Sequence, residues 1–303
     1  MVERRPGVMP PKPGPPPRQV SRRRIRARRL AVLAGAALAL LIVFAVVKLT
    51  SRGSTTPPPP TIVAPPKPFR IVFPEGFTRL DMAHRVQVVA KIAQHKSHKH
   101  VRLSRTAYLR WTRPRVMPGF GKKKRAMEGF LSPATYDFLR GTPSKQLVAN
   151  QLEAFEQNWK KVDLRYARSK HLTPYDVLII ASMVERETLA PDERPLVAAV
   201  IYNRLKARMP LGIDATIRYG LHVPGTKALR VSQLESDNPY NTRKFLGLTP
   251  TPIGNPGLAS MQAAAHPAKV GYLYFLRKPD RVHHYFTSSF RDFQNKEVQY
   301  GYR

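Results

Sequence analysis

Leu30 to Val47 is a run of 18 residues with no charge and no strongly polar side chain, and it follows directly on a basic segment. No other feature restricts the chain as much. As an α-helix the run would be roughly 27 Å long, close to the thickness of a bilayer core. Lys48 and Arg52 stand where long cationic side chains can reach the far interface. A buried core helix would not normally lie between a basic tail and a proline tract. A cleaved signal peptide would have a shorter apolar stretch and a small-x-small cleavage site, and the residues after Val47 offer none. The expectation is a retained membrane-spanning helix over 30–49. The Lys/Arg excess before it puts the N-terminus in the cytoplasm and everything after it outside the plasma membrane.

The flanks follow from composition. Residues 1–29 hold ten Lys/Arg, one acid and repeated prolines, which predicts a disordered basic tail. Residues 50–68 carry the tract Pro57-Pro58-Pro59-Pro60, which predicts an extended linker. From Phe69 the pattern is globular and mixes helices with strands, so the fold class is α+β. A small, very basic α+β unit is expected over 69–127 and a larger α+β domain over 128–303. In the small unit, a strand at 69–73 leads through the turn Pro74-Glu75-Gly76 to a helix from Thr78 to about Ala93. In the larger one, helices are expected over 144–161, from Thr173-Pro174 through Val184, over 191–207, and over 256–265 with Asn255 as cap. A hairpin of 272–277 with 282–287 should turn at Pro279-Asp280-Arg281.

The charge is extreme, with Lys+Arg 52 against Asp+Glu 19, a formal +33. Such a surface seeks polyanions: nucleic acid, anionic lipid or acidic wall polymers. Nucleic acid is excluded as the partner by the expected topology, which puts most of the basic sequence outside the cell. The absence of cysteine rules out thiolate nucleophiles and Cys-based zinc sites. His95, His98 and His100 have no carboxylate nearby and read as a solvated basic loop rather than a metal site. No phosphate loop, Ser-His-Asp order or spaced metal ligands occur, so neither metal nor organic cofactor is expected.

Chemistry is concentrated at one place. The continuous apolar run Val177 to Val184 marks a helix buried nearly all round, and it ends in Glu185-Arg186-Glu187. A carboxyl held against an apolar wall favours its neutral form, as a general acid must. Glu185 and Glu187 have similar helical neighbours, so spacing does not separate them. A surface pair with Arg186 or Arg204 fits the same pattern. Asp214-Ala215-Thr216, Tyr219, Tyr240-Asn241, Asn255-Pro256-Gly257 and His266-Pro267 bring amide, hydroxyl and aromatic groups suited to sugar hydroxyls and N-acetyl groups.

On these residues the chain resembles the endolytic murein transglycosylase (MltG or YceG-like) family. The resemblance rests on Glu128-Gly129-Phe130-Leu131-x-Pro133-x-Thr135-Tyr136 and Ala181-Ser182-Met183-Val184-Glu185-Arg186-Glu187-Thr188. It continues through Asn203-Arg204-Leu205, Asp214-Ala215-Thr216-x-x-Tyr219-Gly220, Tyr240-Asn241-Thr242, Pro252-Ile253-x-Asn255-Pro256-Gly257 and Ala263-Ala264-Ala265-His266-Pro267-Ala268, in the family's order. The match runs from about Phe69 to the C-terminus. One departure is Leu211-Gly212-Ile213-Asp214, where the family often has an amide and a hydroxyl before the acid.

The resemblance implies an endolytic lytic transglycosylase that cleaves the MurNAc–GlcNAc β-1,4 bond of peptidoglycan strands and leaves 1,6-anhydro ends. It implies Glu185 as the catalytic acid and base, rather than Glu187. It also implies a LysM-like small subdomain, and cell-wall synthases as neighbours. Glu128, Asp214, Thr216, Tyr219, Tyr240, Asn241, Asn255 and His266 are the expected substrate-binding residues. The competing readings are a hydrolase using water, if Asp214 or Glu128 stands near Glu185, and a non-catalytic glycan-binding scaffold of the cell envelope.

Overall fold

The computed structural model describes residues 22–50 and 67–302. The expected basic tail, up to position 21, and the expected linker, over 51–66, lie outside the described residues. Helix α1 (Arg22–Thr50) contains Ala31–Thr50, which is long and apolar enough to cross a membrane. It starts earlier than the expected 30–49. A single N-terminal helix of this kind is compatible with a membrane anchor, and equally with a signal sequence.

The described residues 67–302 belong to one compact unit. It opens with β1 (Phe69–Val72), α2 (Arg79–Ser97), α3 (Arg105–Trp111), β2 (Arg115–Val116), β3 (Lys124–Arg125) and β4 (Thr135–Phe138). Helices α4 (Ser144–Trp159), α5 (Arg165–Ser169) and α6 (Pro174–Glu187) follow. A 3-10 turn at Pro191–Glu193 then leads into α7 (Arg194–Lys206). Next come α8 (Asp214–Gly220), α9 (Val231–Leu234), α10 (Leu258–Ala265), β5 (Tyr274–Arg277), β6 (His284–Thr287) and α11 (Phe290–Gln299). Each sheet is a two-stranded antiparallel pair: β1 with β4, β2 with β3, and β5 with β6.

Two cores organise this unit. The smaller gathers Ile71 and Phe73, Met82 and Val86 of α2, and Tyr108 of α3. It also takes Leu131, Tyr136 and Phe138, together with Leu147 of α4. It therefore draws on both sides of position 128. The reason is pairing: Phe69 stands opposite Phe138 and Ile71 opposite Tyr136, so β1 finds its partner only beyond the expected boundary. Helix α2 begins where Thr78 caps it, its hydroxyl accepting from the Asp81 N–H while the Asp81 carboxylate accepts from the Thr78 N–H.

The larger core is built on α6. Thr173 and Asp176 form the same reciprocal cap and Pro174 occupies the first turn, as the sequence predicts. Every residue from Val177 to Val184 is buried. At roughly 1.5–3 kcal/mol for each large apolar side chain buried, this helix alone holds a substantial share of the folding energy. It packs against α7, α8 and α10. Ser182, fully buried, donates to the Ile179 carbonyl at 2.7 Å and accepts the Ile253 N–H at 3.0 Å. That one hydroxyl ties the loop before α10 to the end of α6.

Two expected helix starts move. Residues 191–193 form a 3-10 turn and α7 proper begins at Arg194. Helix α10 is capped by Gly257, not by Asn255. The Asn255 side chain is unavailable for capping because the Leu131 N–H, the Phe77 carbonyl and the Glu128 carboxyl use it.

Candidate active site

Glu185 lies in the last turn of α6, with its side chain 6% exposed. The backbone N–H of Gly257, at the start of α10, donates to Glu185 Oε2 at 2.9 Å. Nη2 of Arg194, the first residue of α7, stands 4.0 Å from Glu185 Oε1. The Arg194 guanidinium is itself positioned through Nε, which donates to Ser260 of α10 at 3.2 Å. Three helices thus converge on one carboxyl. An N–H at a helix start and a guanidinium are both groups that hold a carboxylate in place.

A second acid stands beside it, one that sequence patterning did not single out. Glu75 sits on the turn Pro74-Glu75-Gly76, so close to Gly257 that a Cβ built there would lie 1.8 Å from Glu75 Oε1. Bond geometry then puts Glu75 Oε1 and Glu185 Oε2 within about 7 Å of each other. Partial burial, and after it the neighbouring Glu185, push the Glu75 carboxyl up, while Arg194 opposes them. The only sequence signal for Glu75 was its place in a Pro-Glu-Gly turn, which reads equally well as a plain connector.

Glu128, Tyr219 and Asn255 are brought together, but at a different point. The Glu128 carboxyl is 4% exposed. It accepts from the Arg79 N–H at 2.9 Å, from Asn255 Nδ2 at 2.9 Å and from the Tyr219 hydroxyl at 3.1 Å. Burial pushes its pKa up to about 7 against the pull of the Arg79 N–H and the Tyr219 hydroxyl. Asn255 is fully buried, and its side chain also accepts the Leu131 N–H and donates to the Phe77 carbonyl. It pins the 76–77 turn to the loop carrying Gly257, so its contribution to the site is architectural. The Tyr240 ring lies tilted against that of Tyr219, 5.1 Å between centroids, and its hydroxyl shares a hydrogen bond with Thr251.

The other expected substrate contacts are placed elsewhere. Thr216 is fully buried, donating to the Ile213 carbonyl and sharing a hydrogen bond with Thr242. Asn241 is also fully buried, its amide donating to the carbonyls of Leu234 and Ser236. Both brace the loops around α8 and present no surface to a ligand. Asp214 is half exposed and paired with Arg243 at 2.7 Å. His266, half exposed, faces Asp163 at 3.7 Å. Glu187 faces Arg277 and the Ala215 N–H, and burial raises its carboxyl.

Two cavities border residues next to Glu185. One, about 530 Å³, is lined by Asp163, Arg194, Gln262 and His266 among others. The other, about 860 Å³, is lined by Arg79, Glu128, Arg186, Arg218 and Tyr219 together with Phe77 and Thr78. Glu185 lines neither, but its partner Arg194 borders the first and its chain neighbour Arg186 the second.

The family model described as the YceG-like family matches residues 53–299. The chain is 37% identical over 155 residues to a Bacillus subtilis (strain 168) protein named endolytic murein transglycosylase, covering 51% of this chain and 43% of that one. A Streptococcus pneumoniae (strain ATCC BAA-255 / R6) protein of the same name is 33% identical over 175 residues, covering 55% and 31%. The chain therefore spans less than half the length of these curated relatives. A crystal structure of a yceG-like protein from Listeria monocytogenes superimposes with a TM-score of 0.62 at 29% identity, covering 75% of each chain. With most of its length matched by one family model and its folded part by a solved relative, the chain belongs to the YceG-like family.

Proposed function

We propose that this protein is an endolytic lytic transglycosylase of peptidoglycan, with Glu185 as the acid that protonates the departing glycosidic oxygen. The observation that carries the reading is the nearly buried Glu185 carboxyl at the end of the apolar helix α6, held in one position by the Gly257 N–H with Arg194 beside it. The relatives' names point the same way. In this scheme the MurNAc C1–O4 bond breaks through an oxocarbenium-like transition state. The MurNAc 6-hydroxyl then closes on C1 to give the 1,6-anhydro end. Helix α1 serves as a single-pass anchor that holds the folded unit outside the plasma membrane, near the strands it cuts and the synthases that make them. The two helices and paired strands of the smaller core support a LysM-like role for the membrane-proximal part, and residues 128–303 supply Glu185. Of the expected contacts, Tyr219, Tyr240, Asp214 and His266 keep enough exposure to meet glycan.

Hydrolysis by water is the second reading, and one observation favours it. Two-carboxylate glycosidases need a second acid about 5–9 Å from the first, and Glu75 supplies one where Asp214 and Glu128 were the expected candidates. The test uses the full chain in detergent, wild type and Glu185→Gln, on purified peptidoglycan, with products read by mass spectrometry. Anhydro ends from wild type and none from the variant are expected. Reducing ends alone would establish the hydrolase, and a folded wild-type protein that binds glycan without cutting it would establish the scaffold.

A further inference from the structure

In the reading above Glu185 gives a proton to the leaving oxygen, and the attacking hydroxyl must lose one in the same reaction. The acceptor is not obliged to be the same carboxyl. Glu75 stands within about 7 Å of Glu185 across Gly257, and the two carboxyls differ in exposure: the Glu185 side chain is 6% exposed, whereas Glu75 is open to the surface.

The turn carrying Glu75 is held on both sides. The Gly76 N–H donates to the Asn255 carbonyl at 2.8 Å, and the Asn255 N–H donates to the Phe77 carbonyl at 3.0 Å. Arg186, next to Glu185 in the chain, donates to the Gly76 carbonyl at 3.2 Å. Gly76 adopts φ 76°, which glycine takes without strain. A Cβ at Gly254 would stand 2.7 Å from the Gly76 carbonyl oxygen, so the two loops meet backbone to backbone. This anchoring is more than a surface connector requires. It fixes where Glu75 can reach, as a group acting on a substrate atom needs.

We propose that Glu75 is a second catalytic residue, the base that takes the proton from the hydroxyl attacking C1, so that acid and base are separate groups. The inference rests on the transglycosylase reading above. In the step, the C1–O4 bond breaks and O4 leaves with the proton of Glu185. The attacking oxygen, O6 of the same sugar, forms its bond to C1 and passes its proton to Glu75. One proton is given and one is taken, and exchange with solvent returns the pair to its starting state. The crowding that raises the Glu75 carboxyl makes it a stronger base than an isolated surface glutamate. Gly257, without a side chain, lets its N–H reach Glu185 while Glu75 occupies the space a Cβ would fill.

The test compares full-length wild type, Glu185→Gln, Glu75→Gln and Glu75→Ala in detergent on purified peptidoglycan, scoring anhydro ends per unit time, with and without added formate. Loss of general-base catalysis should lower the rate of both Glu75 variants by about 10²-fold or more with an unchanged melting midpoint. Formate, a small carboxylate able to enter the vacated space, should restore part of the rate to Glu75→Ala and none to Glu185→Gln. Wild-type rates in Glu75→Gln would overturn the inference and leave the transglycosylase reading standing. So would a slow Glu75→Ala that formate does not rescue, because the role would then be structural. Wild-type protein that cuts nothing would remove both.

Discussion

Glutamine at position 128 should abolish a pH dependence of stability that the wild type carries. The Glu128 carboxyl is 4% exposed and its pKa is raised from 4.5 to about 7, mainly by burial. A folded-state pKa above the unfolded one means that the folded state holds the proton more tightly. That stabilisation is complete below about pH 4.5 and is lost as the pH rises through about 7. A difference of roughly 2.5 units at 1.36 kcal/mol each amounts to about 3 kcal/mol. Glutamine mimics the neutral form. Its oxygen can accept from the Arg79 N–H and from Asn255, and its NH2 can face the Tyr219 hydroxyl, which turns to accept. Between pH 4.5 and 8, therefore, wild type should lose about 3 kcal/mol relative to Glu128→Gln. At about 2–4 °C per kcal/mol for a folded unit of this size, the gap in melting midpoint should shift by about 6–12 °C. Thermal melts of both full-length proteins across that range, followed by tryptophan fluorescence, make the measurement. Parallel curves would refute the reasoning, because Glu128 would then ionise in the folded state as readily as in the unfolded chain.

The same architecture predicts two further outcomes. Asn255→Ala should leave the Leu131 N–H and one side of Glu128 without partners, at roughly 1–3 kcal/mol for each unsatisfied buried group, while the Phe77 carbonyl keeps the Asn255 N–H. A chemical denaturation midpoint unchanged from wild type would contradict that accounting. Gly257→Ala should cost about 1 kcal/mol or less in stability, since its φ of −74° suits alanine. Its Cβ, 1.8 Å from Glu75 Oε1, must nevertheless push Glu75 aside, so cleavage should fall as far as in Glu75→Gln. Full activity in that variant would separate Glu75 from the chemistry.

The sequence alone determined the features that depend on near neighbours. Thr173-Pro174 with Asp176, and Thr78 with Asp81, start helices through contacts three residues apart, and both caps stand where spacing places them. The apolar run Val177 to Val184 can only be a buried helix end to end, so Glu185 was legible as a carboxyl at its polar edge. The ordered motifs from Glu128 to Ala268 located the family. What only the tertiary structure decided is which distant groups meet. Asn255 looks like a helix cap, but closing the 76–77 turn against it diverts its side chain to Leu131, Phe77 and Glu128. Thr216 and Asn241 look like sugar ligands, yet packing buries both and uses up their hydrogen bonds. Strand β1 pairs with β4, about 65 residues later, because Phe69 and Ile71 need an apolar face that nothing nearer offers. Glu75 lies 110 residues from Glu185 in the chain. Periodicity acts over a few residues, and no local pattern reports that chain packing has set these two carboxyls on either side of one glycine.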